Sequence, residues 1–125
     1  MMKQLIINAD DFGIHEAVNH GIITGHTTGC ITSTTIIPNG HAFDHAVQLA
    51  RENPCLGVGV HLTLVGEKPL LDPSLIPSLV NEQGNFTDNY GLFMRQYVRG
   101  KIKIQHIRQE LTAQVEKVLS AGINV

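Results

Sequence analysis

Short β-type runs alternate with stretches whose apolar residues recur at helical spacing, and this alternation restricts the chain to parallel βα units. Leu5-Ile6-Ile7-Asn8-Ala9 ends abruptly in Asp10-Asp11-Phe12-Gly13, which predicts a buried strand over residues 3–9 running into a functional turn. From Ile14 onward, Ala17, Val18, Gly21 and Ile22 fall on a helical stripe that Gly25 or Gly29 can stop. Residues 31–37, rich in Thr and Ile and closed by Pro38-Asn39-Gly40, read as a second strand. A second helix is expected over residues 41–53, where Ala42, Ala46, Leu49 and Ala50 form the apolar stripe and Pro54 ends it. Residues 56–64 alternate, with Val58, Val60, Leu62 and Leu64 on one face and Gly59, His61 and Thr63 on the other, as a third strand does. Helices are expected over residues 91–98 and 104–121, with Gly122 as the terminal cap and residues 123–125 opening a fourth strand. The proline- and glycine-punctuated stretch 65–90 is longer than an ordinary connection and is expected to be a lid or substrate loop.

Composition narrows the function classes. With 125 residues, 42% of them hydrophobic and 16% charged, the chain can bury one core, so residues 1–125 read as a single α/β domain. No stretch approaches the roughly 18 apolar residues of a membrane helix, and no membrane partner is expected. Nine Lys and Arg against eleven Asp and Glu give a net charge of -2, with one short basic cluster at residues 99–103, which disfavours nucleic acid as a partner. Asp10 follows the N-terminus too soon for a signal-peptide apolar core, so a cytoplasmic location is expected. In that compartment Cys30 and Cys55, which lack C-x-x-C spacing, are expected to be buried thiols rather than a disulfide or a zinc pair. The sequon Asn85-Phe86-Thr87 carries no weight without secretion.

Parallel sheets collect their chemistry at the C-terminal ends of strands, and the two polar features that stand out, Asp10-Asp11 and His61, both fall at such ends. Adjacent carboxylates point in different directions, so one can hold a metal while the other faces water or substrate. Their simpler role is to bond the backbone of the turn or the start of the next helix. An imidazole on the polar face of a strand is a common metal ligand, although a lone strand histidine is more often structural. Together, at one edge of one sheet, the two features favour function. His41 and His45 have the spacing of a zinc-protease helix, but Ala42 stands where its glutamate base belongs. His15, His20, His26 and His106 fall on predicted helices or their ends, where surface or capping roles are expected. No phosphate loop, dinucleotide fingerprint or serine nucleophile turn is present, and neither cysteine has a nearby predicted base.

Three separated motifs, Ile7-Asn8-Ala9-Asp10-Asp11-Phe12-Gly13, then Ile31-Thr32-Ser33-Thr34-Thr35 with Asn39-Gly40 and Asp44-His45-Ala46-Val47, then Gly59-Val60-His61-Leu62-Thr63-Leu64, resemble the YdjC-like carbohydrate deacetylases in order and spacing. That family includes the chitooligosaccharide deacetylases, and the similarity covers essentially the whole chain as the N-terminal part of the family domain. The resemblance implies a distorted, TIM-like (β/α) barrel and hydrolytic removal of acetyl groups from N-acetylated oligosaccharides. It implies Asp10 as the catalytic base, and Asp11 and His61 as ligands of a divalent metal, Mg2+ by family. Ligand softness alone suits Zn2+ or Mn2+. The third ligand would come from a histidine-rich motif after the fourth strand, beyond Val125. On this reading the chain is part of a longer protein, is expected to be inactive by itself, and has an open sheet edge that favours a homo-oligomer, a dimer by family.

Two other readings fit the length. A signalling receiver domain also places an acidic pair after its first strand, but it needs a phospho-accepting Asp at the end of the third, where this chain has His61. An inactive module that binds sugar or drives oligomerisation is the second. Acetate release from chitobiose separates the enzyme from both.

Overall fold

In a computed structural model that describes residues 3–125, the chain forms two compact units, one comprising the stretch up to His61 together with Lys117–Val125, the other Leu62–Glu116. The first holds a sheet of three parallel strands in the order β1-β2-β3, namely Asn8–Phe12, Ser33–Ile36 and Gly57–Val60. Helices α1 (Glu16–Thr27) and α2 (Phe43–Glu52) follow β1 and β2, which is the α/β pattern of parallel βα units that the alternation predicts.

Side-chain alternation gives the sheet two unlike faces. Phe12, Ile36 and the partly buried Ala9, Val58 and Val60 pack with Ile22, Phe43, Ala46 and Val47 of the two helices. Each such large apolar side chain, when fully buried, contributes about 1.5–3 kcal/mol. Val118 and Ile123 complete this core, and Lys117 places its Nζ 4.4 Å from the centre of the Phe43 ring, a cation–π contact. The opposite face carries Asn8, Asp10, Ser33, Thr35 and Gly59, and it is polar and accessible.

The first strand lies further along the chain than residues 3–9. The pairing begins where Thr32 and Ser33 donate their N–H groups to Ile7 O, and the ladder register is Asn8 opposite Ser33. Leu5 and Ile6, read from the sequence as core, are 76% and 78% exposed, because they precede the paired segment. The third strand is shorter than residues 56–64, although His61 N–H still donates to Ile36 O at 2.8 Å. Residues 123–125 form no strand. Gly122, at φ 78°, ends the preceding helix as expected, and Ile123 tucks into the core instead. Cys30 and Cys55 are free and exposed rather than buried, since both sit in turns, one after α1 and one just before β3.

The second unit contains α3 (Tyr90–Val98), most of α4 (Ile104–Ser120) and the long stretch expected to be a lid. That stretch has a core of its own, in which Ile76, Leu79 and Phe86 bury with Ile102. Two polar side chains of α4 organise the backbone of this unit. Gln114, fully buried, accepts from Thr63 N and donates to Thr63 O, taking the place of a neighbouring strand. Glu110, equally buried, receives the N–H groups of Leu70 and Leu71 and the Nε2 of Gln114. Unpaired, such backbone groups would each cost about 1–3 kcal/mol. At the unit's surface, the Ser74 hydroxyl and then its N–H hold the Asp72 carboxyl below the usual carboxylate range. A lowered carboxyl stabilises the folded turn above the ordinary value and loses that contribution as pH falls through the lowered one.

Candidate active site

The two turns that follow β1 and β2 meet closely. Gly13, at φ 98°, accepts Ala42 N–H on its carbonyl, and its own N–H donates to Asn19 Oδ1 at 2.6 Å. Gly40 lies so near that a side chain there would collide with the Gly13 carbonyl group. This contact fixes the residues just before Gly13.

Between Ala9 and Phe12 the pairing of β1 with β2 slips by an extra residue, and within that bulge Asp11 adopts φ 70°. The left-handed region costs a residue with a side chain about 1 kcal/mol or more, least for Asn and Asp, and such strain gathers at functional sites. The bulge leaves both carboxylates accessible, Asp10 and Asp11 being exposed. Asp11→Asn, which tolerates that backbone, is expected to leave stability unchanged within about 0.5 kcal/mol, whereas the β-branched Asp11→Val should cost about 1–3 kcal/mol. Urea denaturation followed by circular dichroism checks both.

Asp10 is tied by one oxygen. Its Oδ1 accepts from the Thr35 hydroxyl at 2.7 Å and from Asn8 Nδ2 at 2.8 Å, and Asn8 is held in turn by the Ser33 hydroxyl at 2.8 Å. With Oδ1 engaged, Oδ2 is the oxygen left to face a reactant. Thr35 Oγ1 also lies 3.2 Å from His61 Nδ1, its own hydroxyl proton going to Asp10. Sequence reasoning passed over Thr35, which appeared only within a motif. The signal for it is position: two residues after Ser33, it shares the polar face with Asp10.

His61 Nδ1 is 3.6 Å from Asp11 Oδ1, with the imidazole 31% and the carboxylate 53% exposed. Two ligands held about 2.1 Å from one cation stand about 3 Å apart in an octahedral shell and about 3.4 Å in a tetrahedral one. The pair therefore fits adjacent positions on a single divalent ion after a shift of a few tenths of an ångström. An oxygen and nitrogen donor set of this kind suits Zn2+ or Mn2+, and tolerates Mg2+. Among the described residues no group of three or more His, Cys, Asp or Glu could hold a metal ion.

The remaining histidines do other work. His15 caps α1, its Nδ1 accepting from Ala17 N, and His26 Nδ1 meets Ile31 O at 2.8 Å. His106 Nδ1 lies 2.8 Å from the Ser78 hydroxyl. His41 precedes α2 instead of sharing a helix turn with His45, whose Nδ1 meets Asn19, so the two do not form a zinc pair. His20 packs edge-on against His45, ring centres 4.9 Å apart.

An acidic doublet and an imidazole meet at the C-terminal edge of a parallel sheet in an α/β protein, with one carboxylate of the doublet tethered. The chain belongs to the YdjC-like protein family, whose model matches residues 4–125. It is 40% identical over 122 residues to Carbohydrate deacetylase 1 of Listeria innocua, covering 98% of this chain and 48% of that protein. A carbohydrate deacetylase of Clostridium beijerinckii is 45% identical over 120 residues, covering 96% of this chain and 46% of the relative. The chain thus spans about half the length of the curated relatives it matches. A crystal structure from Enterococcus faecalis, described as a cellobiose-phosphate cleavage protein, superposes with a TM-score of 0.85 at 39% identity, over 95% of this chain and 44% of that one. Among the described residues no helix is long and apolar enough to cross a membrane.

Proposed function

We propose that this chain carries part of the active site of a metal-dependent carbohydrate deacetylase, acting on N-acetylated sugars of the chitooligosaccharide type and releasing acetate. The names of its relatives support deacetylation of carbohydrates in general. The observation that carries the reading is the pairing of Asp11 with His61 at 3.6 Å beside an Asp10 whose Oδ1 is anchored.

Asp11 Oδ1 and one imidazole nitrogen of His61 would hold a divalent cation, Mg2+, Zn2+ or Mn2+. Such an ion, when bound, polarises the acetyl carbonyl and acidifies a water. Asp10 Oδ2 takes the proton of the attacking water as the carbon–oxygen bond forms. Thr35 and Asn8 keep that carboxylate from turning away, so the base is positioned before substrate arrives. When the carbon–nitrogen bond breaks, the proton held at Asp10 Oδ2 passes to the departing nitrogen, leaving acetate and a free sugar amine.

Calorimetric titration of the full-length protein with each of the three cations, followed by acetate release from diacetylchitobiose in their presence, tests the reading. Saturable binding that disappears in His61→Ala, with cation-dependent acetate, is the expected result. Absence of binding with all three overturns the metal site. Binding without acetate from any N-acetylated sugar overturns the reaction.

A further inference from the structure

Asn19 is a fully buried polar side chain in the first turn of α1, and every one of its side-chain bonds leaves the helix. Its orientation is unambiguous. Gly13 N–H can only donate, so the atom 2.6 Å from it is the amide oxygen, and Ala42 O can only accept, so the atom 3.1 Å from it is the amide nitrogen. That NH2 group has a second proton, and its remaining partner is His45 Nδ1 at 3.1 Å. His45 Nδ1 must then present a lone pair, which places the proton of the neutral imidazole on Nε2.

We infer that Asn19 is a positioning residue for the Asp10–Asp11 turn, and that His45, as the Nε2-protonated tautomer, joins Ala42 O in holding the orientation of its carboxamide. The argument is one of hydrogen-bond polarity. A carboxamide is nearly symmetric in shape, and the two acceptors beside its nitrogen, Ala42 O and His45 Nδ1, are what keep the NH2 from turning to face Gly13 N–H. Gly13, at φ 98°, gives that N–H to Asn19, and it lies two residues after Asp11 at φ 70°. Losing the bond frees the backbone that keeps Asp11 beside His61. His45 therefore acts at the cation site through two intermediates, His45 to Asn19 to Gly13, touching neither carboxylate. The inference rests on the proposed cation site only for its affinity readout, and its structural readout stands apart.

The test has two arms. Nitrogen NMR of the imidazole in the unaltered protein is expected to show His45 unprotonated at Nδ1, and a proton there would overturn the inference. Asn19→Asp keeps an acceptor for Gly13 but has no proton for His45, so the His45 proton is expected to move to Nδ1. Cation affinity, read by calorimetry, is expected to fall at least tenfold in Asn19→Ala and His45→Phe. It is expected to return in His45→Gln, whose amide oxygen can accept the same N–H, and to be unchanged in Val18→Ala on the exposed part of the same helix. Equal loss in His45→Gln and His45→Phe would reduce His45 to packing and overturn its part. Should the unaltered protein bind no cation, the proposed function fails by itself. The positioning claim is then decided by the amide resonances of Asp10, Asp11 and Gly13, which must shift in Asn19→Ala or Asn19→Asp while those of Ile36 stay in place.

Discussion

On the proposed reading, Asp10→Asn in the full-length protein is expected to lower the rate of acetate release by about 10²–10⁴-fold, the usual contribution of a positioned general base, with cation affinity unaltered. The substitution is close to a pure removal of basicity. Asparagine retains an oxygen that can accept from the Thr35 hydroxyl and Asn8 Nδ2, so the network through Ser33, Asn8 and Thr35 can survive intact. What changes is Oδ2, replaced by an NH2 group that cannot take a proton. Steady-state kinetics beside calorimetry separates this role from ligation: a base affects turnover alone, whereas a ligand affects affinity and turnover together. A parallel collapse of cation binding in Asp10→Asn would reassign Asp10 to the metal shell.

How much of this was legible in the sequence depends on which physical signal each part leaves. Order and class were legible, because period-two and period-3.6 apolar patterns belong to different elements and both were strong around Ile36 and Ala46. Asp10, Asp11 and His61 were legible as a group, since parallel topology alone sends strand ends to one edge. The placement of the first strand was not. Leu5-Ile6-Ile7 has the composition of core, yet burial requires a neighbour, and the register with β2 starts at Asn8. Nor was the bulge, for a slip in pairing belongs to two strands at once and leaves no mark on either. Thr35 and Asn19 were missed for a shared reason: a polar residue inside an apolar pattern reads as surface, while here one faces Asp10 and the other is buried to the last atom. The prolines and glycines of residues 65–90 mark a long loop, but not the bonds that Leu70 and Leu71 give to Glu110, 40 and 39 residues away in sequence, and no local pattern reports such a bond.

The largest effect on folding is expected from a single methyl group at Gly40. In Gly40→Ala the new carbon would sit against the carbonyl oxygen and carbon of Gly13 and 3.2 Å from Ile14 N. All three obstacles are backbone, so no side-chain rotation relieves them. Either the turn after β1 or the turn after β2 must move, and both are committed: Ala42 N–H bonds Gly13 O, Phe43 N–H bonds Gly40 O and Gly13 N–H bonds Asn19. Overpacking of this kind costs about 1–3 kcal/mol, and lost buried hydrogen bonds add to it, so a loss of about 3 kcal/mol and a fall in Tm on the order of 10 °C are expected. Gly21→Ala supplies the contrast within the same unit. Nothing lies within 4 Å of the added carbon, the site is an exposed position in α1, and alanine exceeds glycine in helix propensity by about 1 kcal/mol, so that protein should melt a few degrees higher. Calorimetric melting of the two variants reads opposite signs from one chemical change. Because the Gly40 contact also holds the turn that bears Asp10 and Asp11, Gly40→Ala should weaken cation binding even at temperatures where it remains folded. Equal melting temperatures for the two variants would mean that the close approach of the turns does not anchor the site.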